Sequence, residues 1–142
     1  MALKKNAKLE LLKGVPLFSG FSGKELAEVA KAADEVEYAE GRMLGWQDAA
    51  GHEAFVVVSG SITVRRNGRK VATLGAGDVA GEMALLDGDV RSADLIAAED
   101  TRVLVIPRRE FTGLVDSNPR LAGKLLATLA SRLREADKKV YG

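Results

Sequence analysis

The chain is 142 residues long, 46% hydrophobic and 29% charged, which suits one soluble globular domain burying roughly 70% of its unfolded surface and excludes a disordered chain. Lysine and arginine total 21 against 20 aspartates and glutamates, a net charge of +1, so no broad field draws nucleic acid or an anionic membrane and any positive pocket has to be local. The absence of cysteine excludes disulfides and thiolate metal sites and fits a reducing compartment; with no signal-peptide core and no apolar run near the ~18 residues of a membrane span, a cytoplasmic location is expected.

In chain order, Leu3, Ala7 and Leu11, flanked by Leu12, fall near helical spacing with lysines between them, which predicts a short amphipathic helix whose cations form a solvated face. Gly14 and Pro16 interrupt it, and Val15, Leu17, Phe18 and Phe21 form an apolar knot. Ser22 and Glu25 have the spacing of a capping box, and Leu26, Val29, Ala30 and Ala33 give a second helix one apolar face. Beyond Asp34 the helical period gives way to short runs punctuated by glycine. Val36 and Tyr38 alternate with glutamates, Gly41 turns the chain into Met43, Leu44 and Trp46, and Asp48 to Gly51 read as a loop. Phe55 to Ser59 is β-branched and apolar, Gly60 breaks it, and Ile62 and Val64 alternate with Thr63 and Arg65. Asn67-Gly68 is a strong hairpin signal joining that strand to Lys70 to Leu74. A second pair, Ala93 to Ala98 and Thr101 to Ile106, is joined through Glu99 and Asp100, and Pro107 ends the sheet region. Arg109, Phe111 and Leu114 suggest a brief helix. Ser117 or Asn118 can cap the next one, with Pro119 in its first turn. Its stripe of Leu121, Leu125, Leu126, Leu129 and Leu133 covers the strands, pairs with a second copy, or closes over a ligand. Short strands at close intervals point to a barrel or sandwich.

One stretch does not read as scaffold. GEMALLDGDVRSAD, Gly81 to Asp94, places one carboxylate and one guanidinium among apolar residues, after Gly75, Gly77 and Gly81. Glycine lets backbone approach a ligand without a Cβ in the way. Glu82 to Leu86 are good helix formers, and a glycine turn into a short helix leaves amides unpaired and available to an anion. Arg91 would grip a phosphate diester with its planar fork, and Ser92 would add a hydroxyl donor. Glu82 has the wrong sign for phosphate and suits sugar hydroxyls. The alternative is that Glu82 caps the short helix and forms a structural ion pair with Arg91.

The run GEMALLDGDVRSA resembles the phosphate-binding cassette of the cyclic-nucleotide-binding domain family, which includes catabolite activator protein, kinase regulatory subunits and cyclic-nucleotide-gated channels. VVVSGSITV resembles that family's strand, glycine turn and strand, and LGAGDVAGE its approach to the cassette. VPLFSGFS and LLATLASRLRE extend the likeness over about Leu11 to Glu135. Two departures stand out: Val90 replaces a frequent proline, and Asp48 stands where many members have glycine.

The resemblance implies an α+β fold, a small antiparallel β-barrel or jelly roll (double-stranded β-helix) with N-terminal helices and a long C-terminal helix. One domain over 1–142 would comprise helices to residue 34, a β-roll with the cassette over 35–107, and C-terminal helices over 108–142. By the resemblance, Glu82 would hold the ribose 2′-hydroxyl and Arg91 the cyclic phosphate, with Gly81, Met83, Ala84, Ser92 and Ala93 completing the pocket. The base would contact Val71, Leu74 and Val79, and Leu129, Arg132 and Arg134 of a lid helix. The implied ligand is cAMP or cGMP, with a lean to cAMP. Near the helix end, where some members read the purine edge, Ala136 and Asp137 stand here, and alanine cannot make that bond.

Enzymatic readings lack their parts. A cupin-type metal site needs several histidines, and His52 stands alone. Nucleophilic catalysis has no cysteine, and Ser92 has no histidine base nearby in sequence. An activator-type transcription factor would need a helix-turn-helix module, and none is expected after the long helix, nor is any nucleic acid or membrane contact. The expected function is a cyclic-nucleotide regulatory domain, without catalysis or metal, signalling through its C-terminal helix to a downstream protein or linked effector, with a homodimer through that helix as a further expectation. The alternative is a ligand-free interaction or dimerisation module of the same fold.

Overall fold

The computed structural model of the chain describes residues 2–141. Helix α1 (Lys5–Lys13) leads through a 3₁₀ turn (Pro16–Phe18) into α2 (Gly23–Ala32). Strands β1 (Asp34–Tyr38), β2 (Met43–Gly45), β3 (Glu53–Ser59), β4 (Ile62–Arg66), β5 (Arg69–Leu74) and β6 (Val79–Ala80) follow. A single turn, α3 (Ala84–Asp87), precedes β7 (Asp94–Ala97) and β8 (Thr101–Pro107), and the chain ends in α4 (Arg108–Ser117) and α5 (Pro119–Tyr141). The strands form two antiparallel four-stranded sheets, ordered β1-β8-β3-β6 and β2-β7-β4-β5. This is the expected roll with helices before and after it.

The two sheets enclose one core, and the helices pack a second against the outside of the first sheet. Strand alternation decides which residue goes where. Along β3, Ala54 and Val56 face the helical core while Phe55 and Val57 face the roll interior; along β8, Leu104 and Ile106 face the helices and Val103 the interior. Both faces of β3 and β8 are therefore buried, which is why they read as continuous apolar runs. The aromatic knot packs as expected, with Phe18 and Phe21 stacked at 5.1 Å and Phe111 5.5 Å from Phe18. The capping box at Ser22 and Glu25 is formed in both directions.

Local chemistry fixes the turns. Asn67 and Gly68 both have positive φ, 53° and 78°, the conformation a two-residue hairpin needs. A register shift between Val64 and Arg65 leaves Val71 as an extra residue on β5. Such a bulge re-aims side chains, and both Val71 and Ala72, consecutive in sequence, line the same cavity. Several boundaries differ from the expected ones: α1 starts at Lys5, the expected brief helix after Pro107 runs ten residues, and Pro107 is itself the last residue of β8. Its missing N–H is tolerated at a strand end.

Candidate functional site

A cavity of about 520 Å³ opens between the wall of β4, β5 and β7 and the segment from β6 to Ala93, within the usual range for a small-molecule site. Val64, Val71, Ala72, Leu74, Val79 and Leu95 give it an apolar side. Gly81, Met83, Ala84, Arg91, Ser92 and Ala93 line the other. The structure thus gathers six of the seven expected cassette residues and the three expected base contacts Val71, Leu74 and Val79 around one space.

Arg91 is the group that gives this space its chemistry. Only 7% exposed, it lies over the Phe55 ring at 5.2 Å. Its Nη2 donates to the Glu53 carbonyl and to Glu53 Oε1, both at 2.9 Å. Its Nη1 is buried and has no partner among the described residues. A buried guanidinium nitrogen without an acceptor is costly, and an anion in the cavity would supply one. The arginine fits because glycine flanks it twice. Gly81 has φ +72°, and a Cβ there would sit 2.5 Å from Arg91 Nη1; a Cβ on Gly45 would sit 2.7 Å from Arg91 Cδ. The backbone on either side is tied as well, Arg91 N–H donating to Ala49 O and Asp48 N–H donating to Arg91 O, each at 2.8 Å.

Asp48 holds φ +68°, the left-handed conformation that glycine adopts without cost. The loop keeps the glycine-like shape, with an aspartate carrying the strain. Backbone donors complete the anion end unevenly. The Met83 and Ser92 N–H groups carry no hydrogen bond among the described residues, whereas Ala84 N–H is committed to Gly81 O at 3.1 Å.

Glu82 is placed differently from the expectation. Its carboxylate accepts from Leu17 N–H at 3.1 Å and from Arg132 Nη2 at 2.9 Å, and it does not line the cavity. The alternative of a Glu82–Arg91 ion pair is also not what forms, since the partner of Arg91 is Glu53. Its two partners, the 3₁₀ turn and α5, both belong to the helical layer, so Glu82 faces that layer and not the cavity. Leu129, Arg132 and Arg134 likewise stand outside the cavity wall. Helix α5 packs on the 3₁₀ turn and α4, Leu129 lies against the helical core, and the apolar cavity residues Val71, Met83 and Val90 are about half exposed.

Several contributors lay outside the expected set, those that seat Arg91 among them. Glu53, Phe55 and Gly45 shape the bed of Arg91, and Arg66 lines the cavity while its Nε donates to Ser92 O at 3.2 Å. Tyr38 packs edge-on to Phe55 at 6.4 Å. Burial, and secondarily the Glu53 carboxylate, pushes the Tyr38 phenol above its ordinary range. Glu53 has no sequence signal beyond opening an apolar strand. Among the described residues no cluster of acidic and histidine side chains could hold a metal ion, and no helix is long and apolar enough to cross a membrane.

Comparisons with known proteins give this geometry its context. The Thermus thermophilus cyclic AMP receptor protein is 37% identical over 131 residues, covering 89% of this chain and 61% of its own length. The chain thus spans about three fifths of that relative. The N-terminal domain of a Streptomyces coelicolor transcriptional regulator superposes with a TM-score of 0.82 at 27% identity, covering 90% of this chain and 95% of that one. The regulatory domain of Toxoplasma gondii PKA, crystallised with cAMP, gives 0.71 at 26% identity, covering 92% and 50%. The cyclic nucleotide-binding domain profile matches residues 35–118, from β1 through the cavity wall to the end of α4, and with that match the chain belongs to the cyclic nucleotide-binding domain family.

Proposed function

We propose that the chain is a cytoplasmic sensor domain, its 142 residues acting as one unit, whose cavity takes a 3′,5′-cyclic purine nucleotide, cAMP in preference to cGMP. The observation that carries this is Arg91, almost fully buried at the cavity edge with Nη1 lacking an acceptor among the described residues. A phosphate diester oxygen supplies that acceptor, and the free Met83 and Ser92 amides serve the other oxygen. The base rests against Val71, Leu74 and Val79, with Ala93 beside Ser92. The preference for cAMP is supported by the name of the Thermus relative and the ligand of the Toxoplasma neighbour. Titration of cAMP and cGMP by calorimetry, with melting temperatures alongside, tests the reading; no heat and no thermal shift at millimolar nucleotide would reject it.

Signal output follows from Glu82. To reach a ribose 2′-hydroxyl its carboxylate has to leave Leu17 N–H and Arg132 and turn toward the cavity, so occupancy of the cavity and attachment of α5 draw on one group. A ligand shifts an equilibrium only through such unequal interaction with two states. Amide NMR signals from Leu125 to Arg134 move on saturation in this scheme, and unchanged signals would remove it. Helix α5 exposes Leu126, Leu133 and Val140 at intervals of seven, the spacing of a coiled-coil seam. A second copy of the chain is the proposed occupant, and Leu126→Glu with Leu133→Glu abolishes the dimer in sedimentation. The recipient of the signal is a downstream protein or linked effector, supported by the greater length of the Thermus relative. In this reading the domain regulates, with no catalysis, metal, nucleic acid or membrane contact of its own; relatives named as a receptor and a regulatory subunit support the regulatory part.

A further inference from the structure

The cavity wall ends in the β4–β5 hairpin, where Arg65, Arg66, Arg69 and Lys70 fill every position around the Asn67-Gly68 turn. Set against a chain of net charge +1, these four cations leave the remainder at −3. All six residues from 65 to 70 are exposed, and among the described residues none of the four cations has an ion-pair partner. The tip is tied to the loop after β2. Gln47 exchanges two hydrogen bonds with Asn67, Asn67 N–H donating to Gln47 Oε1 and Gln47 Nε2 donating to Asn67 Oδ1, each at 2.8 Å. Val64, Arg66, Val71 and Ala72 all line the cavity, so Arg65, Arg69 and Lys70 stand within two residues of its wall. The opposing charges at the mouth are Asp87 and Asp89. They are turned to local amides, Asp87 Oδ1 accepting from Asp89 N–H and Asp89 Oδ1 from Val90 N–H.

We propose that this hairpin is an electrostatic entry surface for the anionic ligand, setting how fast a cyclic nucleotide reaches the cavity rather than how long it stays. The inference rests on the cyclic-nucleotide reading above, because only an anion is steered. Exposed charges that do not touch the bound ligand alter the association rate and its salt dependence, while buried pairs govern dissociation. Arg91, desolvated and paired with Glu53, belongs to the second class; Arg65, Arg69 and Lys70 belong to the first. A nearly neutral chain has no global field to do this work, so the sign of the mouth decides the rate.

The test is stopped-flow mixing of the full chain with a fluorescent C8-substituted cAMP, comparing the parent with Arg65→Gln/Arg69→Gln/Lys70→Gln. Arg66 is kept because it ties the hairpin to Ser92. At about 20 mM salt, where screening is weak, the association rate falls about five-fold in the triple variant. At about 300 mM the two proteins converge, and dissociation rates agree within about two-fold. Arg69→Gln alone, the mildest change to an exposed tip, gives a smaller drop of the same kind and covers any folding defect in the triple variant. Equal association rates at low salt overturn the inference, as does a loss confined to dissociation. Absence of binding by the parent chain overturns the cyclic-nucleotide reading and this inference together.

Discussion

Two carboxylate–guanidinium pairs flank the same short segment and behave in opposite ways. On the cavity side, Arg91 uses one terminal nitrogen on Glu53 and leaves the other buried without a partner among the described residues. On the helical side, Glu82 has both oxygens engaged, one by the 3₁₀ turn and one by α5. The first pair is incomplete where a ligand would sit. The second is complete and joins the segment to the helices. An ion pair by itself therefore says little; Arg91 can meet a ligand with a bond it still lacks, whereas Glu82 can do so only by giving up bonds it already has.

The largest effect comes from deleting the incomplete pair. Arg91→Ala costs ~2 to 5 kcal/mol in nucleotide affinity by calorimetry, the usual loss for a desolvated charged contact; near-normal affinity would refute the cavity as the phosphate site. Gly45→Ala breaks the same pair from behind. Its φ is ordinary, so only the approach of the new Cβ to Arg91 at 2.7 Å is felt, and it costs ~1 to 3 kcal/mol in urea unfolding together with weaker nucleotide binding. A variant that binds and unfolds like the parent shows that Arg91 has room to retreat.

Smaller changes sharpen the comparison. Asp48→Gly removes the left-handed strain beside Arg91 and raises stability by ~0.5 to 1 kcal/mol, read as a higher melting temperature; a lower one means that the aspartate side chain holds the loop. The helical side is tested by acid. A hydrogen bond from Lys124 on α5, then the Ser22 cap, holds the Glu25 carboxyl below its ordinary value of 4.5. A depressed carboxyl stabilises the fold above its unfolded pKa, and that contribution is lost as pH falls through the folded one. Melting temperature therefore drops below about pH 4.5, and Glu25→Gln flattens that limb. An unchanged limb in the variant assigns the acid sensitivity elsewhere.

What could be read from the sequence tracks how local each cause is. Asn67-Gly68, the Ser22–Glu25 box and the glycine-broken strands act within a few residues, and they appear as read. Arg91 and Gly81 were legible because one continuous stretch carries both. Glu53 lies 38 positions from Arg91, and Gly45 and Phe55 reach it from other strands, so nothing short of the fold brings them together. The aim of Glu82 was illegible for the same reason. Glu82 stands in the turn before α3, and the groups that hold it, Leu17 N–H and Arg132, lie 65 and 50 positions away.

Strand β3 is a party wall. Phe55 lies under the Arg91 guanidinium on one face, while Ala54 and Val56 press on the helices from the other. Whatever nudges the ring is felt one peptide away by the opposite layer, with no loop or hinge between. Enlarging Ala54 would thus reach the cavity from outside it, and a search for variants that retune binding has reason to begin among residues that never meet the ligand.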